Sequence, residues 1–464
     1  MDSILTMGAA AQARAIAAGT LRATDVMAAT LARVAEANGA VNALVSLAPE
    51  AELMAAAREA DMRAGAGPVP GPLHGVPIAI KDLADAAGFA TSQGSPLFAG
   101  QVAARDGAHV ARLRTAGAIV IAKSNVPEFG LGSHTYNPVF GATGNPYDAG
   151  LSAGGSSGGA AAALALGMVQ IADGSDMMGS LRNPAGWCNV YGMRPTWGLV
   201  PSGPADEVFL HMLATNGPMA RCPEDIALLL SVMAGPDPAE PFGRSLEVGA
   251  CPDVPRIGWL GDWGGAYAME PGILELCAGA LEPLGAVETL KAPFDAGALW
   301  ESWTVLRSWA IAMGLAEIMG DGQRAQLKPE AVWEAERGLG YSGRQIHAAS
   351  VQRSAWFVAA ARLFERFDVL ALPSAQVWPF DKRETWPRNI GARKMDTYHR
   401  WMEVVIPASL IGLPAISVPA GFGTQGLPMG VQLIGRRGSD AMLLELASRH
   451  HTIAPWPQIR PPVI

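Results

Sequence analysis

Two hydroxyls set in small-residue turns are where this chain could do chemistry. In Gly154-Gly155-Ser156-Ser157-Gly158-Gly159 four glycines bracket two serines, and Ala160 to Ala163 follow directly. Glycine lets the backbone take positive φ and approach another group closely, so the pattern reads as a shaped turn feeding a helix N-terminus. A second small-residue turn, Asp173 to Ser180, presents another hydroxyl in Gly179-Ser180-Leu181-Arg182. Ser156 and Ser180 lie 24 residues apart, enough for a helix out and a strand back. A serine hydroxyl is a poor nucleophile near neutral pH and needs an adjacent base. That base has to come from elsewhere in the chain.

Residue patterns alone leave its identity open. Gly154-x-Ser156-x-Gly158 matches the nucleophile elbow G-x-S-x-G, which makes Ser156 the apparent nucleophile. The elbow needs a buried strand directly before it, and Asn145 to Ala153 is a polar stretch bearing proline and glycine. It also needs an acid and then a histidine downstream, and nothing singles out His211, His347 or His399. Lys81 ends the apolar run Val76 to Ile80. On spacing alone, a lysine in that place reads as a surface residue snorkelling to water. There is no H-E-x-x-H, no Walker loop, no paired carboxylate site and no metal-ligand cluster among the eight histidines. No metal or cofactor is therefore expected.

The elements around these turns read as α/β. Ala-rich helices are predicted over Ala9–Ala18, Thr24–Ala37 and Glu50–Ala64, the second capped by Thr24 beside Asp25. Strands are predicted at 76–80, 119–122, around 257–260, at 367–373, and in the tail at 413–419 and 429–435, with helices at 108–116 and 441–450. Eight of the thirteen tryptophans fall between Trp300 and Trp401, where they read first as core and, more sharply, as an aromatic wall over a substrate pocket.

Composition narrows the class further. Of 464 residues, 50% are hydrophobic and 16% charged, enough for a large core. The net charge of −8 gives no footprint for nucleic acid, and no basic run suggests an anionic membrane surface. The four cysteines stand singly, and the first ten residues lack a signal-peptide pattern. No uncharged 18-residue apolar run marks a membrane span. The expectation is a soluble cytoplasmic protein that acts on a small molecule, with a homodimer left open.

Several longer stretches together resemble the amidase signature family of serine hydrolases. They are Leu73-His-Gly-Val-Pro-Ile-Ala-Ile-Lys81-Asp82, Lys123-Ser-Asn-Val-Pro-Glu-Phe129, Gly144-Asn-Pro-Tyr-Asp148 and the Gly154–Gly159 turn. Asp176-Met-Met-Gly-Ser180-Leu-Arg-Asn-Pro-Ala185, Gly217-Pro-Met-Ala-Arg221 and Gly412-Leu-Pro-Ala-Ile-Ser-Val-Pro419 continue the match. Their order and spacing agree over most of the chain outside roughly 235–400, where the family itself varies.

The resemblance implies a Ser–cis-Ser–Lys triad: Ser180 as nucleophile, Ser156 as the middle serine on a cis peptide, and Lys81 as base. It reverses the snorkelling reading of Lys81. It also implies an oxyanion hole from the backbone amides of Met177, Met178, Gly179 and Ser180. Asp176 and Arg182 match residues that brace this loop, and Ser157 and Ser175 are supporting hydroxyls. The fold implied is one α/β/α domain with a large mixed, mostly parallel twisted sheet flanked by helices. Its parts would be N-terminal helices over 1–66, a catalytic core over 67–235, a variable helical segment over the site at 236–400, and a return to the sheet over 401–464. The implied substrate is a small amide, with carbamates and esters open to the same triad. The alternative is the glutaminase component of a tRNA-dependent amidotransferase, although Met193-Arg-Pro-Thr-Trp-Gly-Leu-Val-Pro-Ser202 looks more like stand-alone amidases. Two positions depart from the family. Met178 stands where glycine is usual and is expected to narrow the acyl side of the pocket, and Ala153 replaces a common proline.

Overall fold

The computed structural model describes residues 3–203, 207–320 and 322–463. Within them, one mixed sheet of eleven strands runs through the molecule. The first six strands are β1 (Leu44–Val45), β2 (Pro77–Lys81), β3 (Ile119–Ser124), β4 (Ile171–Asp176), β5 (Tyr191–Arg194) and β6 (Thr215–Ala220). The other five are β7 (Arg256–Trp259), β8 (Ala286–Thr289), β9 (Val369–Pro373), β10 (Ala415–Phe422) and β11 (Pro428–Ile434). Their spatial order is β1-β3-β2-β4-β6-β5-β10-β11-β9-β7-β8.

The sheet is mixed as expected, but it is not mostly parallel. Six of the ten neighbouring pairs are antiparallel. Parallel pairing is confined to β3-β2-β4 on one side and β9-β7-β8 on the other. Parallel neighbours need long crossovers, whereas a short turn returns the chain antiparallel. The five residues between β10 and β11 make such a turn, closed by Gly423 N–H donating to the Leu427 carbonyl at 2.9 Å.

The helices that matter for the site are α1 (Ala9–Ala17), α2 (Ala23–Val41), α3 (Glu50–Ala66), α4 (Ala108–Thr115) and α5 (Gly158–Ala165). Three more, α6 (Ala296–Gly320), α7 (Pro329–Leu339) and α8 (Gly343–Arg366), come from the segment predicted to be helical. Thr24 does not cap α2. The helix starts one residue earlier, and the Asp61 carboxylate of α3 accepts from the Ala23 and Thr24 amides at 2.6 and 3.2 Å. A neighbouring helix supplies the acceptor that the sequence assigned to a local side chain.

Tryptophan serves the core. Trp303, Trp356 and Trp401 are fully buried, and Trp401 stacks on Trp187 with ring centroids 5.3 Å apart. Among the described residues no helix is long and apolar enough to cross a membrane.

Candidate active site

Lys81 closes β2, whose five residues are all buried between β3 and β4. The apolar run that ends in Lys81 therefore carries its side chain inward, and the residue is only 1% exposed. Its Nζ lies 2.8 Å from Ser156 Oγ, 2.8 Å from Ser157 Oγ and 3.0 Å from Ser175 Oγ. The Ser175 carbonyl is 3.2 Å away. Burial pushes the Lys81 pKa down to about 7, against the opposing pull of Asp173 and Asp176. A neutral amine, able to take a proton, is thus well populated near neutral pH.

The first turn is shaped to deliver its serines to that amine. Gly154 has φ +79°, a conformation that disfavours any side chain, and the Gly155–Ser156 peptide is cis. Gly159 lets α5 approach the backbone just past β3 closely, because a Cβ there would fall 2.3 Å from the Asn125 nitrogen. Ser157 is the N-cap of α5 but makes no capping bond with its hydroxyl. The hydroxyl faces Lys81 instead, and Thr135 Oγ1 accepts from the Gly158 amide at 3.0 Å. The segment before Ser156 forms a two-stranded hairpin outside the main sheet, so the strand that an elbow nucleophile requires is missing here.

Asp176, the last residue of β4, organises the second turn. Its Oδ1 accepts from the Gly179 amide at 2.9 Å, and its Oδ2 accepts from the Leu181 amide at 3.1 Å. Arg182 adds a forked pair at 2.9 and 3.0 Å, and Arg194 approaches Oδ1 at 3.3 Å. Burial alone would raise the Asp176 pKa, yet the two guanidinium groups hold it well below the usual carboxylate range. Removing a partner from a buried ion pair costs about 3–5 kcal/mol. Asp176→Ala is therefore expected to lose about that much stability in urea unfolding, and an unchanged midpoint would contradict the bracing role.

This geometry removes Gly179 from the expected oxyanion hole, since its N–H is already directed at Asp176. The amides of Met177, Met178 and Ser180 have no hydrogen-bond partner among the described residues. The Ser180 carbonyl accepts from the Ser157 amide at 3.2 Å, which ties the second turn to the first.

Ser156, Ser175 and Ser180 line one cavity of about 360 Å³. Its far wall is a stripe on α6: Arg307, Ala310, Ile311, Gly314, Leu315 and Ile318. Spacings of three and four residues put all six on one helix face. Phe98 and Phe129, edge to face at 6.1 Å, and Leu83 and Leu131 make the rest of the enclosure largely apolar. None of the tryptophans lines it, so the aromatic wall predicted from them is replaced by two phenylalanines and aliphatic side chains.

The expectation for Met178 also changes. Its side chain is 2% exposed and packed in the main core, while the neighbouring Met177 lines the cavity. Met177→Ala is expected to alter relative kcat/KM across substrates of different acyl size. Met178→Ala is expected to cost about 2–5 kcal/mol in stability with the profile retained. The opposite pattern, measured on a graded acyl series, would contradict this assignment.

Sequence reasoning missed three contributors. Asp173 accepts from the Lys81 amide at 2.6 Å and from buried His109 on α4 at 2.9 Å, anchoring the end of β2. Arg194 braces Asp176 from β5. Arg307 enters the cavity from a helix more than a hundred residues downstream. Asp173 opens the second turn itself, but its partners, Lys81 and His109, lie far off in sequence, as do Arg194 and Arg307 from the groups they meet, and no local spacing marks any of the three. Among the described residues no group of His, Cys, Asp and Glu side chains could hold a metal ion.

The sequence profile of the amidase family matches residues 25–444. The chain belongs to the amidase family. An acylamidase of Rhodococcus erythropolis is 33% identical over 469 residues, covering 98% of this chain and 97% of the relative. One component of the glutamyl-tRNA(Gln) amidotransferase of Chloroflexus aurantiacus is 34% identical over 493 residues, with 98% of each chain covered. A bacterial aryl acylamidase of the amidase signature family has the same fold, with a TM-score of 0.90 at 27% identity and 97% of both chains covered. This amidase is accordingly an amide-hydrolysing enzyme built on the large mixed sheet of that family.

Proposed function

We propose that this amidase hydrolyses a small, apolar or aryl carboxamide through an acyl-enzyme on Ser180, with Ser156 as proton relay and Lys81 as base. One observation carries the reading: a buried lysine whose Nζ is 2.8 Å from Ser156 Oγ, at the wall of a cavity that Ser180 also lines. Neutral Lys81 takes the Ser156 proton as Ser156 takes the Ser180 proton, and Ser180 Oγ attacks the amide carbon. The amides of Met177, Met178 and Ser180 are the donors available to the developing oxyanion; each such donor is worth about 2.7–4 kcal/mol. The Lys81 ammonium then returns its proton through Ser156 to the leaving nitrogen as the C–N bond breaks. Water enters by the same relay, releasing the acid and restoring Ser180. Ser157 and Ser175 hold the lysine amine in place.

The apolar cavity and the acylamidase relatives support an apolar acyl or aryl amide. Purified chain should cleave anilides and short alkyl amides, and a panel with matched carbamates and esters ranks the bond types. The amidotransferase relative favours a second reading, the glutaminase component of such a complex. Turnover of anilides by the lone chain without glutaminase activity supports the first reading. Glutamine hydrolysis that appears only with a partner protein and transfer RNA would replace it with the second.

A further inference from the structure

The cavity contains one guanidinium, and its charge is already cancelled. Arg307 is 4% exposed and stands at the head of the α6 stripe. Its Nε donates to Glu334 Oε1 at 2.7 Å, and its Nη2 donates to the Tyr398 hydroxyl at 2.7 Å. That hydroxyl in turn donates to Glu334 Oε1 at 2.7 Å, and Ser308 Oγ donates to Oε2 at 2.5 Å. Glu334 is fully buried on α7, and although burial opposes ionisation, Arg307 and these donors hold its pKa below the ordinary value. The remaining terminal nitrogen, Nη1, meets only Met177 Sδ at 3.4 Å. A thioether is a weak acceptor that a substrate oxygen can displace.

We propose that Arg307, with its charge masked by Glu334, is a specificity-determining donor that admits neutral amides carrying a second hydrogen-bond acceptor and turns away those carrying a carboxylate. The inference rests on the reading that Ser180 reacts within this cavity. A neutral oxygen gains a hydrogen bond from a guanidinium without adding charge to a closed site. A carboxylate brings a net negative charge beside Glu334, whose oxygens already accept from three side chains. On the catalytic side, Asp176 is likewise matched by Arg182 and Arg194 and leaves neither of them free to offset it. Met177, which Nη1 touches, belongs to the turn bearing Ser180, so the donor acts close to the reacting carbonyl.

Two matched pairs test this without knowing which end of the substrate faces Arg307. On the acyl side, 4-oxopentananilide is compared with succinanilate. On the ring side, 4-acetylacetanilide is compared with 4-acetamidobenzoate. The wild type should favour the ketone over the carboxylate by about tenfold or more in kcat/KM on at least one pair. Glu334→Gln, which unmasks the guanidinium, should move that ratio about tenfold toward the carboxylate. Should Glu334→Gln not fold, the charge-balanced Arg307→Met/Glu334→Gln variant serves. It should lose the wild-type preference for 4-oxopentananilide over pentananilide, or for 4-acetylacetanilide over 4-ethylacetanilide. A wild type that favours the carboxylate, ratios unmoved in Glu334→Gln, or a retained ketone preference in the double variant would overturn the inference. Fluorophosphonate labelling of Ser180, run in parallel, separates the two levels. Labelled, active enzyme with unmoved ratios removes only the role of Arg307, whereas an unlabelled wild type removes the reading beneath it.

Discussion

Replacing Ser180 with alanine is expected to lower kcat/KM for an anilide by about 10⁴-fold or more, with the fold intact. The expectation follows from what the hydroxyl does and what it does not do. In the proposed reaction it forms the bond to the acyl carbon, and no neighbouring side chain can take its place, because Ser156 is committed to Lys81 at 2.8 Å. A 10⁴-fold loss corresponds to about 5.5 kcal/mol of transition-state stabilisation. The turn itself does not depend on the hydroxyl. Asp176 holds it through the Gly179 and Leu181 amides and Arg182, and the Ser180 carbonyl still accepts from Ser157. Thermal unfolding of Ser180→Ala should therefore match the wild type, and a variant with more than a few per cent of wild-type activity would sink the assignment.

Lys81→Met is expected to be nearly as damaging, and the wild-type pH profile should reveal why. With its pKa near 7, Lys81 is mostly ammonium below that pH and has no lone pair to offer. The rate should fall about tenfold for each pH unit below 7 and level off above it. The sign is fixed by the chemistry: the neutral form is the base, so activity disappears as pH falls through the folded-state pKa. Methionine keeps the long apolar stem but leaves the hydroxyls of Ser156 and Ser175 without their partner, at a cost of about 1–3 kcal/mol for each group left unpaired, while Ser157 Oγ keeps its 3.4 Å contacts with the Ser175 backbone. A wild-type rate that stays flat from pH 5.5 to 8, or a Lys81→Met enzyme that keeps most of its activity, would contradict the role of this lysine.

The two serine turns and the strand that ends in Lys81 were legible because glycine spacing and a buried apolar run are local signals. Local signals also fixed the helices predicted at 9–18, 24–37, 50–64, 108–116 and 441–450 to within about four residues at either end. What escaped depends on partners distant in sequence. β6, Thr215–Ala220, contains Gly217 and Pro218 and shows no strand pattern, yet it pairs with β4 along its whole length and turns the centre of the sheet antiparallel. The α2 start is capped from α3, so Thr24 looked like a cap only because Asp61 could not be seen beside it. Met177 and Met178 are adjacent and chemically identical, and only the twist of the turn decides which of them meets the cavity. The stripe on α6 was hidden because the helix is apolar nearly all round. Its other sides bury Trp303, Val305 and Leu306 in the core, so periodicity could not separate cavity wall from packing.

Ser156 sits in the pattern that resembles a nucleophile elbow, while the proposed reaction pairs it with Lys81, 2.8 Å away, and assigns the attack to Ser180. Trapping the acyl-enzyme by acid quench during turnover of an activated acyl ester, followed by peptide mass mapping, distinguishes the two serines directly. The acyl group is predicted on the peptide containing Ser180 and absent from Ser156. An acyl group found on Ser156, with Ser180 unmodified, would contradict the account.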